Sequence, residues 1–196
     1  MHMQWKPVLD FWFQGESLGK EQLSRWWKKD EQVDEWIKVH FAHLIDEVAG
    51  VLYESWAQTP EGRLAAIICL DQFPRNCYRG SGRSFQYDGK AIGLVNEGLA
   101  LGHDQALTPL QRSFFIMPLM HDEGLSSQNR CIALFEALVA ETQGAIKQYL
   151  SGSLDYARKH AVIIERFGRY PHRNKLLNRE STEEEIVFLQ QPDSSF

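Results

Sequence analysis

Between Glu31 and Ser55, apolar residues return at every third or fourth position: Val33, Trp36, Ile37, Phe41, Leu44, Ile45 and Val48. That spacing gathers them on one side of an α-helix and leaves acids and lysines on the other. The runs RLAAIICL (63–70), SSQNRCIALFEALVAE (126–141) and LDYARKHAVIIERF (154–167) repeat the period. No stretch alternates apolar and polar positions with strand character, and no hairpin dipeptide sits between such runs. Helix starts are marked by Thr59-Pro60 and Thr108-Pro109, where a capping hydroxyl precedes a proline already set for the first helical position. Thr108 with Gln111, and Ser181 with Glu184, have the spacing of capping boxes. Gly102 and Gly168 mark stops, the latter with Pro171 close behind. The pattern predicts an all-α protein of about eight helices in antiparallel helical hairpins. A divergent, tetratricopeptide-like array is compatible with this, although the Trp-Leu-Gly-Tyr signature of that repeat is not found.

Two prolines fall inside apolar runs, and polar clusters follow both. LAAIICL leads directly into DQFPRN (71–76). If Leu64, Ile67 and Ile68 line a buried face, Asp71 and Gln72 continue it, and Arg75 lies one turn beyond Asp71. Pro74 removes a backbone hydrogen bond and crowds the carbonyl of Leu70, so the helix is expected to bend or end there. Asp71 and Arg75 then form a buried bidentate pair, or Arg75 and Asn76 face a ligand at the break. In FFIMPLMHDEGL, Pro118 interrupts a helix and His121, Asp122 and Glu123 follow; a His beside carboxylates is the pattern of a general base with an orienting acid. The stretch ERFGRYPHRN (165–174) echoes the first, with Arg169, His172, Arg173 and Asn174 beyond a helix end. Arginine forks match carboxylates or phosphates, so these side chains meet acids elsewhere in the fold, such as Asp71 and Glu123, or an anionic ligand.

Composition narrows the choices. A chain of 196 residues suits one domain over 1–196, large enough to bury roughly 70% of its unfolded surface. The net charge of −5 hides an asymmetry: residues 158–179 hold seven Lys or Arg against Glu165 alone, and residues 63–83 hold four Arg against Asp71. An acidic body with two basic segments argues against a nucleic-acid partner, which selects a broad basic face, and permits a local anion site. The N-terminal stretch lacks an apolar core fit for a signal peptide, and no apolar run is long enough to span a bilayer, so no membrane partner is expected. Cys69, Cys77 and Cys131 form no CxxC pair and fit a reducing, cytoplasmic setting. Arg75 and Arg79 beside Cys77 are of the kind that lowers a thiol pKa.

No phosphate-binding loop, dinucleotide fingerprint, serine elbow or zinc-protease motif is present, and no cofactor is expected. His121-Asp122-Glu123 point in different directions on a helix, and His40 and His43 sit in an apolar stripe, so no metal site is expected either.

LDFWF (9–13), LDQFPRN (70–76), PLMH (118–121) and RFGRYPHRN (166–174) together resemble the bacterial Domain of Unknown Function 924 family. The resemblance covers nearly the whole chain. It implies an all-helical, tetratricopeptide-like fold and carries no assigned activity. Three functional readings follow from the residues themselves. The first is a binding module in which Asp71, Arg75, Asn76, Glu123, Arg169, Arg173 and Asn174 hold an anionic small molecule or an acidic peptide. The second is a purely structural Arg–carboxylate network in an interaction scaffold. The third is a hydrolase-type enzyme for an anionic metabolite, with His121 or His172 as the acid–base group. Oligomeric state is not legible from the residues.

Overall fold

The computed structural model describes residues 4–14, 18–192, 194 and 195. Its α-helical segments are α1 (Lys6–Trp12), α2 (Lys20–Trp27), α3 (Glu31–Ala49), α4 (Tyr53–Trp56), α5 (Pro60–Ile67), α6 (Phe73–Cys77), α7 (Asp88–Ala100), α8 (Pro109–His121), α9 (Leu125–Glu141), α10 (Gly144–Phe167) and α11 (Glu183–Phe188). No strand occurs among the described residues, and no helix there is long and apolar enough to cross a membrane. The fold is all-α. There are more segments than the periodicity predicts, because α4 and α11 are short and because the run from Pro60 to Cys77 is divided in two.

That division is the first local feature that matters for function. Pro74 cannot donate to the carbonyl of Leu70, and its ring would press on that oxygen. Instead of breaking, the helix widens: Ile68–Gln72 forms a π-helical turn in which the Phe73 N–H reaches back to the Ile68 carbonyl. The chain stays helical through Pro74 to Cys77. Wide turns of this kind re-aim side chains without interrupting the rod, and they recur at functional sites. Pro118 also leaves its helix unbroken, lying inside α8, which runs on to His121 without a wide turn.

The main core gathers Trp12 of α1, Trp26 of α2, Ile37, Phe41, Ile45 and Val48 of α3, the second half of α5 from Leu64 to Ile67, Ile68 to Leu70 of the π-helical turn, and Phe114 and Phe115 of α8. The predicted α3 stripe is therefore the buried one, except that Trp36 remains 40% exposed and stacks on Phe11 at 4.2 Å. Trp27 also stays on the surface, whereas Trp12 and Trp26 are interior. Helices α9 and α10, joined by Thr142 and Gln143, pack along one another as an antiparallel hairpin. The centre is less regular, since α5 contacts α1, α7 and α8 while α3 lies against α6. A second small cluster of Ile163, Ile164 and Tyr170, with Phe167 and Phe188, folds the chain beyond α10 back onto it. Gly168 makes that turn at φ +67°, a conformation side chains rarely adopt.

The Thr59 cap and the Thr108–Gln111 box form as expected. The last box is displaced by one residue. Thr182, not Ser181, caps α11, and Glu185 accepts from the Thr182 N–H at 2.8 Å. Ser181 is engaged elsewhere, its hydroxyl accepting from Asn174 Nδ2 at 3.0 Å. Thr182→Ala is therefore expected to lower unfolding free energy in urea by about 1 kcal/mol, and Ser181→Ala by less. The opposite order would return the cap to Ser181.

Candidate functional site

The site is built outward from Asp71, which the π-helical turn places at 0% exposure. Its Oδ1 accepts from His121 Nδ1 at 2.7 Å and pairs with Arg75 Nη1 at 3.3 Å. Its Oδ2 accepts from Gln72 Nε2 at 2.5 Å. Burial alone would raise the Asp71 pKa, but Arg75 and His121 beside it reverse this and hold it well below the usual carboxylate range. An ionised Asp71 accepts only, so Nδ1 of His121 carries the proton and Nε2 keeps a free lone pair. Burial also lowers the His121 pKa; Asp71 opposes this and Arg75 adds to it, leaving the ring neutral near pH 7. His121 closes α8 and its side chain is 15% exposed, so the pair is sealed at the acid and open at the imidazole.

Arg75 stays on Asp71 through Nη1, which also donates to the Asp71 carbonyl at 2.7 Å, but gives its paired donors to another acid. Its two terminal nitrogens meet the two oxygens of Asp88, at the start of α7, at 2.9 Å each. Asp88 also receives Arg173 Nη1 at 3.4 Å, a long contact. The Arg173 guanidinium lies between the rings of Phe85 and Tyr170, at 4.5 and 4.6 Å from their centroids. Only 6% of Arg173 is exposed, and its Nε is buried without a hydrogen-bond partner. Burial and the nearby Arg75 both lower the Arg173 pKa, yet a guanidinium stays charged at any working pH.

Tyr170 joins these parts. Its hydroxyl donates to the Met120 carbonyl at 2.6 Å and accepts from Gln128 Nε2 at 2.9 Å. The same Gln128 amide donates to the Met120 and Asp122 carbonyls at 2.9 and 2.5 Å, fixing the end of α8 that carries His121. His160 of α10 packs edge-on against Tyr170 at 5.5 Å and lies 6.5 Å from the His121 ring. The His172 ring lies 5.6 Å from that of Tyr170. Burial pushes His160 down to about 3 and His172 down to about 4, the latter helped by the Arg173 charge.

Of the residues chosen from sequence, Asp71, Arg75, His121 and Arg173 meet in one cluster, with His172 at its border. Glu123, Arg169 and Asn174 form an adjoining girdle. Arg179 closes on Glu123 at 2.6 and 2.9 Å, Arg169 on Glu185 at 2.6 and 2.8 Å, and Asn174 reaches Glu185 at 3.2 Å. Asn76 faces α3 instead, sharing Asp34 with Arg79.

Three expectations are corrected. The acid orienting His121 is Asp71, not Asp122 or Glu123. The bidentate partner of Arg75 is Asp88, because the wider turn leaves Asp71 facing α8. The Cys77 thiol is pushed up to about 11 by burial and by Asp34 rather than lowered by arginines, both of which spend their charge on carboxylates.

Sequence reasoning missed Phe85, Asp88, Gln128, His160 and Tyr170. Asp88 stands beyond an aperiodic loop, and His160 sits in a helical stripe where nothing distinguishes it from an ordinary core residue. Among the described residues, no group of three His, Cys, Asp or Glu is arranged to hold a metal ion. Two surface pockets, of about 520 Å³ beside Trp5 and Phe13 and about 440 Å³ beside Trp36 and Val39, have no cluster residue in their walls.

Over residues 8–193 the chain matches the family described as "Bacterial protein of unknown function (DUF924)", and it belongs to that family. It is similar to the solved "Structure of Protein of Unknown Function ATU0120 from Agrobacterium tumefaciens", with 33% identity over 95% of this chain and 96% of that one and a TM-score of 0.79. No curated protein matches.

The buried histidines set a pH dependence. An unfolded His titrates near 6.5, whereas His160 and His172 titrate at about 3 and about 4 in the folded chain. Between those limits the unfolded state binds more protons. The stability they support is therefore complete above about pH 6.5 and falls on acidification, by up to about 1.4 kcal/mol per pH unit for each. Urea midpoints between about pH 7 and pH 4.5 should decline steadily, with a shallower slope in His160→Gln. A flat profile would contradict the buried, neutral assignment.

Proposed function

We propose that this member of the bacterial DUF924 family binds a small carboxylate anion at Arg173. One observation carries the reading: among the described residues, Arg173 is a buried cation with a single long hydrogen bond and an Nε without a partner. A buried donor left unsatisfied costs about 1–3 kcal/mol, and an anion would recover that cost. The neighbouring arginines behave differently. Arg75, Arg79, Arg169 and Arg179 each close a fork on a carboxylate. The purely structural reading accounts well for those four, and the girdle that includes Arg169 and Arg179 is architecture that fixes the turn carrying Arg173. It does not account for Arg173.

Charge favours a carboxylate over a phosphate dianion. Within the cluster Arg75 and Arg173 already balance Asp71 and Asp88, and burial keeps the histidines neutral. A single added negative charge is tolerated better than two in such surroundings. A carboxylate is also planar, matching the paired donors of a guanidinium that two aromatic rings hold in place. Such pre-positioning lowers the ordering cost of binding. Free thiols at Cys69, Cys77 and Cys131 support a cytoplasmic setting.

Thermal unfolding against a panel of monocarboxylates, dicarboxylates and inorganic phosphate tests the proposal. A carboxylate at about 100 times its Kd should stabilise the wild type by about 2.7 kcal/mol, or about 5–10 °C at this size. Arg173→Gln should lose that shift. No shift with any carboxylate, together with earlier unfolding of Arg173→Gln, would assign Arg173 to the architecture.

A further inference from the structure

We infer that the His121–Asp71 pair is a general base that activates water for hydrolysis of an ester whose carboxylate is held at Arg173, an inference that rests on the anion site proposed above. The Asp71 carboxylate is fully buried and fixes Nδ1 of His121 as the donor at 2.7 Å, so the free lone pair lies on Nε2, on a ring that is partly open to solvent. This is the arrangement in which an acid sets the tautomer and orientation of a basic imidazole. The backbone around His121 is pinned as well, because Gln128 gathers the last carbonyls of α8 through one amide. Gln128 is thus a positioning residue, linked through Tyr170 to the ring that flanks Arg173.

Water is the nucleophile because the nearby hydroxyls and thiols are occupied or unsuited. Ser84 Oγ donates to the Tyr78 carbonyl at 2.6 Å, the Tyr170 hydroxyl donates to Met120, and burial keeps the Cys77 thiol protonated. In the reaction, Nε2 of His121 takes one proton from water as the water oxygen bonds to the ester carbonyl carbon, whose π pair moves to oxygen. The pair on that oxygen then re-forms the C=O bond as the C–O bond to the alcohol breaks, and the departing oxygen takes the proton from His121. One water is consumed, and an acid and an alcohol are released. Burial acts most strongly on His121 and opposes the proton it accepts, as does Arg75, while Asp71 and Asp88 favour it; His160, 6.5 Å away, faces the same ring.

The probe pair is 4-acetoxybenzoate, an ester with one carboxylate, and phenyl acetate, which lacks it; phenol release is read by absorbance, and benzoate binding is measured separately by calorimetry. The wild type should hydrolyse 4-acetoxybenzoate about 10²-fold faster than His121→Gln, the usual size of a general-base contribution. His121→Gln should still bind benzoate. Arg173→Gln should abolish the preference for 4-acetoxybenzoate over phenyl acetate. After subtraction of the hydroxide reaction, the wild-type rate should rise with pH and level off before neutrality. Equal rates in wild type and His121→Gln, with benzoate still bound, would overturn the general base and spare the anion site. Absence of benzoate binding in the wild type would overturn both. If His121→Gln does not fold, the absence of a solvent deuterium isotope effect on the wild-type rate overturns the general base by itself, because proton transfer from water is then no part of the slow step.

Discussion

A carboxylate with no access to water must be matched completely or it does not stay charged. Asp71 is matched by three side chains from two directions: Gln72 and Arg75 along its own helix, and His121 from the end of α8. Meeting that demand shapes the surroundings. The π-helical turn lets the helix pass Pro74 while keeping Asp71 turned toward α8. Arg75, still in contact with Asp71 through one nitrogen, ties the start of α7 by setting both terminal nitrogens on Asp88. Asp88 in turn is, among the described residues, the carboxylate to which Arg173 donates. Three helices and a turn remote in sequence are thus registered through one buried charge.

Two kinds of arginine emerge from this arrangement. Those of the girdle are half-exposed or less and answered by paired oxygens, which gives geometric specificity more than net stability. Arg173 is nearly as inaccessible as Asp71 but is answered by a single long contact and two aromatic faces. Ring faces attract a cation, yet they supply no acceptor along the line of an N–H bond. An incompletely answered buried charge is a place where a ligand gains what the protein forgoes.

The fold was legible because its signals are local. Helix caps at Thr59 and Thr108 and the stop at Gly168 are short-range chemistry, and the α3 stripe is a simple period. The Ser181 and Thr182 ambiguity shows where such signals end. Adjacent hydroxyls, each three residues before a glutamate, differ only in tertiary context, and Asn174 and Arg169 decided between them. The site was legible only in part. Asp71, Arg75, His121 and Arg173 drew notice because charged groups beside apolar runs and prolines require an explanation. Their pairing did not, since fifty residues separate Asp71 from His121 and no periodicity spans that distance. Arg75 could not be assigned to Asp88 either, because a one-residue widening of a helical turn redirects every side chain that follows.

The tautomer of His121 is the most direct physical consequence of this arrangement. Nitrogen-15 NMR of the imidazoles near neutral pH, with the His121 signals identified by their absence in His121→Gln, reads it without any substrate. A protonated Nδ1 and an unprotonated Nε2, with that preference weakened in Asp71→Asn, is the expected result. A ring protonated on Nε2, or on both nitrogens, would contradict the view that Asp71 holds His121 as a neutral, outward-facing base.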